Sequence, residues 1–262
     1  MKIITFLTDF GTKNSYVSQM KGVASSITDA RLVDITHNVT PHNIREGAFN
    51  LFTAVEYFPI GTVHISVVDP GVGTNRKGLV ITTGSQILIG PDNGLLMPAA
   101  RLLGDFTIYE ITNPKYMLNS ISNTFHGRDV FTPVAAHIAN GVAFEEIGEK
   151  TDDFVDFDFG KCEITSKTAT GKVIYIDDFG NIITNINSIN LRKFLQFDQK
   201  IMVFIGDTKK EVMFVKSYNY VKQGQIMATI GSSNFLELDV NCGNVAKKLN
   251  VKIDDEVKIL FN

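Results

Sequence analysis

Apolar and polar positions along this 262-residue chain fall into two regimes. In the first, short apolar runs alternate with stretches of helical spacing. Lys2 to Thr8 is an apolar run that stops at Asp9-Phe10-Gly11, the mark of a buried strand followed by a turn. From Ser15 to Ile27, Val17, Met20, Val23, Ala24 and Ile27 recur near the helical period. Arg31 to Thr36 reads as a second strand. Asn43 with Glu46 has the form of a capping box and opens a helix that runs through Tyr57. Val63 to Val68 is a β-branched run that ends at Asp69-Pro70-Gly71. Gly84-Ser85 separates two further runs, Gly78 to Thr83 and Gln86 to Ile89, as in a hairpin. A helical apolar stripe covers Asp129 to Ile138. Strands alternating with helices predict an N-terminal α/β domain on a largely parallel sheet.

The second regime begins near Cys162. Its runs are short and β-rich: Gly171 to Ile176, Ile182 to Asn185, Lys200 to Ile205, Val212 to Val215, Gln225 to Ile230, Phe235 to Val240 and Glu256 to Phe261. Gly or Asn turns separate them, and one helical patch, Gly243 to Leu249, interrupts them. This spacing predicts a small C-terminal β-barrel or sandwich. The boundary falls in Glu149 to Gly160, which gives domains at 1–160 and 161–262. That stretch carries Glu149, Asp152, Asp153, Asp156 and Asp158 with Phe154, Phe157 and Phe159 between them, and reads as a solvated connector.

Composition narrows the function classes. With 44% hydrophobic and 20% charged residues the chain is an ordinary globular protein, neither disordered nor fibrous. A net charge of -3 argues against a dedicated nucleic-acid binder and leaves small ligands open. Cys162 and Cys242 stand alone, which disfavours a disulfide framework or a cysteine zinc site. The first residues lack the long apolar stretch of a signal peptide. No run approaches the roughly 18 apolar residues of a membrane span. A soluble, cytoplasmic protein without a membrane partner is the expectation.

Polar clusters lie where predicted strands end, the place where open α/β sheets bind ligands. They are Thr8-Asp9-Phe10-Gly11, the segment Asp69 to Arg76, Thr124 to Asp129, Asp177 to Asn181, and Gly231 to Glu237. Each has a purely structural alternative. Asp9 could cap the helix that follows, and Asp69 could close a Pro-Gly turn. Arg76 could be a surface ion-pair residue, His126 a loop histidine, and Asp178 to Asn181 a tight turn. Gly71-Val72-Gly73 lacks the spacing of a phosphate loop. The five histidines, His37, His42, His64, His126 and His137, form no metal-ligand pattern, and there is no Gly-x-Ser-x-Gly elbow.

Five motifs occur in order: Thr8-Asp9-Phe10-Gly11 with Tyr16-Val17-x-x-Met20-Lys21-Gly22; Val68-Asp69-Pro70-Gly71-Val72-Gly73-Thr74-x-Arg76; Gly90-Pro91-Asp92-Asn93-Gly94; Thr124-Phe125-His126-Gly127-Arg128-Asp129; and Asp178-Phe179-Gly180-Asn181-x-x-Thr184-Asn185. Together they resemble the S-adenosyl-L-methionine (SAM) hydrolases, or SAM hydroxide adenosyltransferases, relatives of the fluorinating and chlorinating enzymes. The resemblance covers nearly the whole chain, from Lys2 to about Ala246.

It implies an α/β domain followed by a small β-barrel, and a homotrimer with active sites between subunits. It implies hydrolysis of SAM to adenosine and L-methionine, with SAM as substrate and no cofactor or metal. Asp69, Arg76 and His126 would be the catalytic trio and Asp9 the ribose ligand. Asn181 with Phe179 would hold adenine. Asp177 or Asp178, Ser232 and Ser233 match the methionine region, and Tyr218 and Glu237 fall near the ligand. Many relatives carry Asp where Asn14 stands, so a carboxylate facing the methionine ammonium group is replaced by an uncharged amide. The halogenating relatives lack the Arg and His of the trio, which favours water over halide here. A non-catalytic SAM or adenosine binder and a halide-using relative are the alternatives.

The residue types suit that chemistry. The sulfonium leaves as neutral methionine and needs no general acid. Water, with a pKa near ~15.7, is the difficult partner. Arg76 supplies permanent positive charge, and His126 can accept or relay a proton near neutral pH. A carboxylate such as Asp9 matches a ribose diol, and a phenyl ring with an amide such as Phe179 and Asn181 matches adenine.

Overall fold

The structure, a computed structural model, describes residues 2–261. The chain falls into two compact units, one ending at Asp158 and the other beginning at Phe159.

The first unit runs β1 (Ile3–Thr8), α1 (Tyr16–Ile27), β2 (Arg31–Thr36), α2 (Ile44–Val55), β3 (Val63–Val67), β4 (Gly78–Thr83), β5 (Ile87–Pro91), α3 (Met97–Leu102), β6 (Phe106–Glu110), a π-helical turn (Gly127–Phe131), α4 (Thr132–Ala139) and α5 (Phe144–Ile147). Its sheet has the order β2-β1-β3-β5-β4-β6. β2, β1, β3 and β5 are parallel, and β4 runs against both its neighbours, so the sheet is largely parallel. All of β3 is buried, as a strand covered on both faces must be. Ile4, Phe6, Val63, Ile65 and Val67 meet Met20 and Ala24 of α1 and Val134 to Ala136 of α4 on one face. Leu7, Val68 and Leu88 meet Leu51 and Val55 of α2 and Met97 of α3 on the other. On that second face His64 is also buried. It takes a hydrogen bond from Thr5 Oγ1 at Nδ1 (2.7 Å) and gives one from Nε2 to Gln86 Oε1 (2.9 Å); burial lowers its pKa to about 4, so it is neutral.

Asn43 caps α2, accepting from Glu46 N at 3.1 Å. The Glu46 carboxylate takes the Asn43 side-chain amide (3.0 Å) and Thr40 N (3.2 Å) rather than Asn43 N, which bonds the Thr40 carbonyl, so only half of the capping box forms. The predicted helix at Asp129 is a π turn that passes into α4. α3 and β6 escape the periodicity, because a six-residue helix and a five-residue strand are too short to show a period.

The second unit contains β7 (Glu163–Ile164), β8 (Thr168–Ile176), β9 (Ile182–Asn187), α6 (Ser188–Leu191), β10 (Gln199–Ile205), β11 (Thr208–Phe214), β12 (Ile226–Ile230), β13 (Phe235–Val240), α7 (Val245–Leu249) and β14 (Glu256–Leu260). The strand order β14-β10-β11-β12-β13-β9-β8 closes through β14–β8 pairing into a seven-stranded barrel, with β7 added on β8. Alternate residues such as Leu236, Leu238 and Val240 fill its interior with Val203, Phe214 and Ile259.

The acidic stretch after Glu149 is not free in solvent. Lys77 Nζ lies 2.7 Å from Asp153, Arg101 binds Asp156 and the Phe157 carbonyl, and Val155 N gives 2.8 Å to Asp92 Oδ1. It is strapped along the first unit.

Candidate active site

In the first unit, β1 and β3 are neighbours with Thr8 opposite Val67. The chain leaves β1 towards β2 on one side, and β3 lies on the other, so the carboxyl ends of β1 and β3 flank a switch point in the strand order. Asp9 follows β1 and Asp69 follows β3. Arg76 stands two residues before β4, at the same edge because β4 is antiparallel.

Asp69, Arg76 and His126 meet. Arg76 Nε lies 3.0 and 3.1 Å from the two Asp69 oxygens, and Nη2 gives 2.5 Å to Oδ2. Nη2 also gives 2.9 Å to His126 Nδ1, and Nη1 gives 3.2 Å to the Lys77 carbonyl. The guanidinium lies 5.1 Å from the Phe131 ring centroid. With 12% and 6% of the side chains exposed, Arg76 and Asp69 form a largely buried pair, not a surface one.

A guanidinium can only donate. His126 Nδ1 is therefore the acceptor, and in the neutral ring the proton sits on Nε2. Burial, and then the Arg76 charge, lower the His126 pKa; Asp69 and Asp129 oppose the shift. The imidazole is thus held neutral with an N–H pointing away from Arg76.

Two loops must touch for this contact. Gly73 has φ +78°, and a Cβ there would lie 2.3 Å from the Asn123 carbonyl. Glycine lets the loop after β3 reach the loop that carries His126. Arg128 and Asp129 brace the latter loop: Arg128 Nε gives 2.6 Å to Asp129, whose buried carboxylate also accepts from Ser122 N at 2.8 Å.

Asp9 does not cap α1; its Oδ2 accepts from His42 N at 2.8 Å. Phe10, Tyr16 and Phe125 meet edge to face, and Arg128 covers the Phe125 ring. These side chains, with Gln19 and Thr124, line a cavity of about 500 Å³. Asn14 is exposed in the turn before α1. Among the described residues no group of His, Cys, Asp or Glu is arranged to hold a metal, and no helix is long and apolar enough to cross a membrane.

In the second unit, Asp177 to Asn181 form the turn between β8 and β9. Gly180, at φ +82°, makes it possible. Asp177 accepts from Asn181 N at 2.8 Å and from Asn181 Nδ2 at 2.9 Å. A carboxylate only accepts, so the Asn181 amide orientation is fixed. Nδ2 also lies 3.4 Å from Tyr218 Oη, which leaves Oδ1 as the open, accepting edge. Phe179 stands 77% exposed at the tip. Phe179, Asn181, Tyr218, Val240, Cys242 and Gly243 line a cavity of about 280 Å³. Asp178 is exposed and outside this network. Ser232 and Ser233 lie in the β12–β13 turn, and neither hydroxyl bonds to the Asp177–Asn181 turn or Tyr218.

Glu237 lies on the outer face of β13, together with Asp239. Burial, then the Asp177 charge, raises Glu237 to about 7. Burial, then Glu237 and Asp177, raises Asp239 to about 8; both its oxygens are buried without a hydrogen-bond partner. Burial, then these carboxylates, pushes Tyr218 up to about 12.

Comparison with known proteins decides the family. The profile of the SAM hydroxide adenosyltransferase N-terminal domain matches residues 4–148, and that of its C-terminal domain matches 171–258. The chain belongs to the SAM hydroxide adenosyltransferase family. Family relatives span its full length. An (R)-S-adenosyl-L-methionine hydrolase of Methanocaldococcus jannaschii is 40% identical, with 100% of this chain and 97% of that protein covered. A fluorinase of Nocardia brasiliensis is 27% identical over 98% and 96%. The crystal structure of an uncharacterized conserved protein from Thermotoga maritima superposes with a TM-score of 0.93 at 37% identity, covering 98% and 99% of the two chains.

In each unit's cluster some residues carry no sequence signal of their own. Phe131 reads as helix core, yet its ring also faces Arg76. Asp239 alternates with buried Leu238 and reads as a solvent-facing acid. The 215–221 segment, with Val215 and Val221 packed on Met227, closes over that face. Glu and Asp at alternate positions of one strand were the available hint.

Proposed function

We propose that this chain hydrolyses S-adenosyl-L-methionine to adenosine and L-methionine. The observation that carries the reading is the Asp69–Arg76–His126 contact at the carboxyl ends of β1 and β3. Arg76 brings a permanent positive charge, oriented by Asp69, to the edge where His126 presents Nε2–H. An oxygen from water sits against that N–H and within the field of Arg76, where hydroxide character is favoured. It attacks C5′, the C5′–S bond breaks, and the bonding pair leaves with sulfur as the neutral thioether. Water and the sulfonium cation give adenosine, methionine and one proton, which passes to solvent. His126 is a donor and orienter in this reading, because its Nδ1 lone pair is already engaged by Arg76.

Asp9, with Oδ1 unengaged, suits the ribose diol. Phe179 and the Asn181 Oδ1 edge suit the adenine face and its amino group. The Asp177 carboxylate supplies negative character suited to a cationic substrate. A homotrimer with sites shared between subunits is part of the proposal, and a monomeric mass in solution would count against it.

Purified protein given SAM should release adenosine, methionine and one proton per turnover, with the rate unchanged by chelator. His126→Ala should lower turnover on the order of 10²-fold. Binding of SAM without product after long incubation would replace hydrolysis with a sequestering role. The fluorinase relative makes halide the second nucleophile to test: a 5′-halogenated nucleoside formed only with chloride or fluoride would move this chain to that chemistry.

A further inference from the structure

β5 lies between β3 and β4 in the sheet, and those two strands lead into Asp69 and out of Arg76. The loop that follows β5, Asp92-Asn93-Gly94, is therefore placed under both arms of the ion pair. Asn93 Nδ2 gives 2.8 Å to the carbonyl of Val68, the residue before Asp69. Asn93 Oδ1 accepts from Leu95 N at 3.2 Å, which closes the loop on itself. Asp92 N gives 2.9 Å to the Lys77 carbonyl, the same oxygen that takes Arg76 Nη1. Asp92 Oδ1 accepts from Val155 N of the strap. One short loop thus ties down the backbone on both sides of the Asp69–Arg76 contact, and neither residue touches His126 itself.

We propose that Asn93 is a positioning residue: it spans Val68 and Leu95 and so holds the Asp69–Arg76 pair in register with His126. The inference rests on the proposed hydrolase reading only for its kinetic arm. Asn is the side chain that fits, because the anchor needs a donor for Val68 O and an acceptor for Leu95 N on one planar group. Misplacement of a reacting group by about 1 Å costs on the order of 10²-fold in rate.

The test compares the native protein with Asn93→Ala and Asn93→Ser. Serine keeps an acceptor for Leu95 N and so preserves the loop's own turn. It is too short to reach Val68 as well, and it adds no charge. The direct readout is the titration of the His126 ring by NMR, assigned with His126→Gln. The charged groups that face this ring are Arg76, Asp69 and Asp129. The native ring should titrate below the ordinary histidine value. In both variants it should move up towards that value as Arg76 drifts away, with kcat for SAM down about 10- to 100-fold and KM within about threefold. A His126 titration unchanged in Asn93→Ser, with only a lowered Tm, would make Asn93 merely structural and overturn the proposal. If the native protein turns over no SAM, the hydrolase reading fails while the NMR comparison still decides the positioning role.

Discussion

The strand ends of the first unit and the outer face of β13 in the second handle charge in opposite ways. At the strand ends a permanent cation is fully engaged: Arg76 serves Asp69, His126 and the Lys77 carbonyl and faces Phe131. On β13, Glu237 and Asp239 are buried near Asp177 with no cation among the causes of their shifts. One region keeps its charges and pairs them; the other keeps its acids by withholding their charge. The two should answer pH differently. The first needs a neutral His126, favoured as pH rises. The second is at ease when its carboxyls hold protons.

The largest effect should come from the first region. Arg76→Lys keeps a charge but loses the fork that reaches three partners at once, and kcat should fall on the order of 10²-fold. Arg76→Ala should also lower stability, by ~3–5 kcal/mol, because Asp69 is left buried without its partner. Retention of near-native kcat in Arg76→Lys would mean that the charge alone suffices.

The next effect sharpens the contrast. In an unfolded chain Glu237 and Asp239 ionise near 4.5 and 3.8; in the barrel they do so at about 7 and about 8. Between those limits the folded state binds protons that the unfolded state has lost. Their contribution to stability is fully present at low pH and falls as pH climbs from about 4 to about 8. Asp239→Asn should therefore raise Tm by about 5 °C at pH 9 and change it little at pH 5. A shift equal at both pH values would remove the buried acid as its cause.

The smallest effect should be at the strap. Asp153 and Lys77 pair at the surface, where solvent and salt screen them. Asp153→Ala should leave Tm unchanged within measurement in 0.15 M salt. A clear loss would mark the strap as a structural part of the Arg76 region rather than a cover on it.

Sequence reading reached the α/β unit, the barrel and the members of the trio, for separate reasons. The parallel strands are apolar runs because both faces are covered, and the barrel strands alternate because only one face is. Asp69, Arg76 and His126 lay in polar loop clusters that each had a structural alternative, and only the resemblance of their motifs to the SAM hydroxide adenosyltransferases grouped them as a trio. The period could not show α3 or β6, which are too short. Nor could it show that the acidic strap is paired, or that Asp239 is buried, since both depend on segments distant in sequence. Asn93 lay in plain view inside a motif. Its meaning came only with the sheet order, because β5 is inserted between β3 and β4 although it follows both in the chain.

Barrel closure has a consequence for synthesis. β14 pairs with both β10 and β8, and it is the last of the seven barrel strands to leave the ribosome. Until it emerges, the nascent chain holds two open strand margins beside an apolar interior, the state most prone to sticking to other chains. A chaperone that shields those margins until β14 pairs should therefore raise the yield of folded protein.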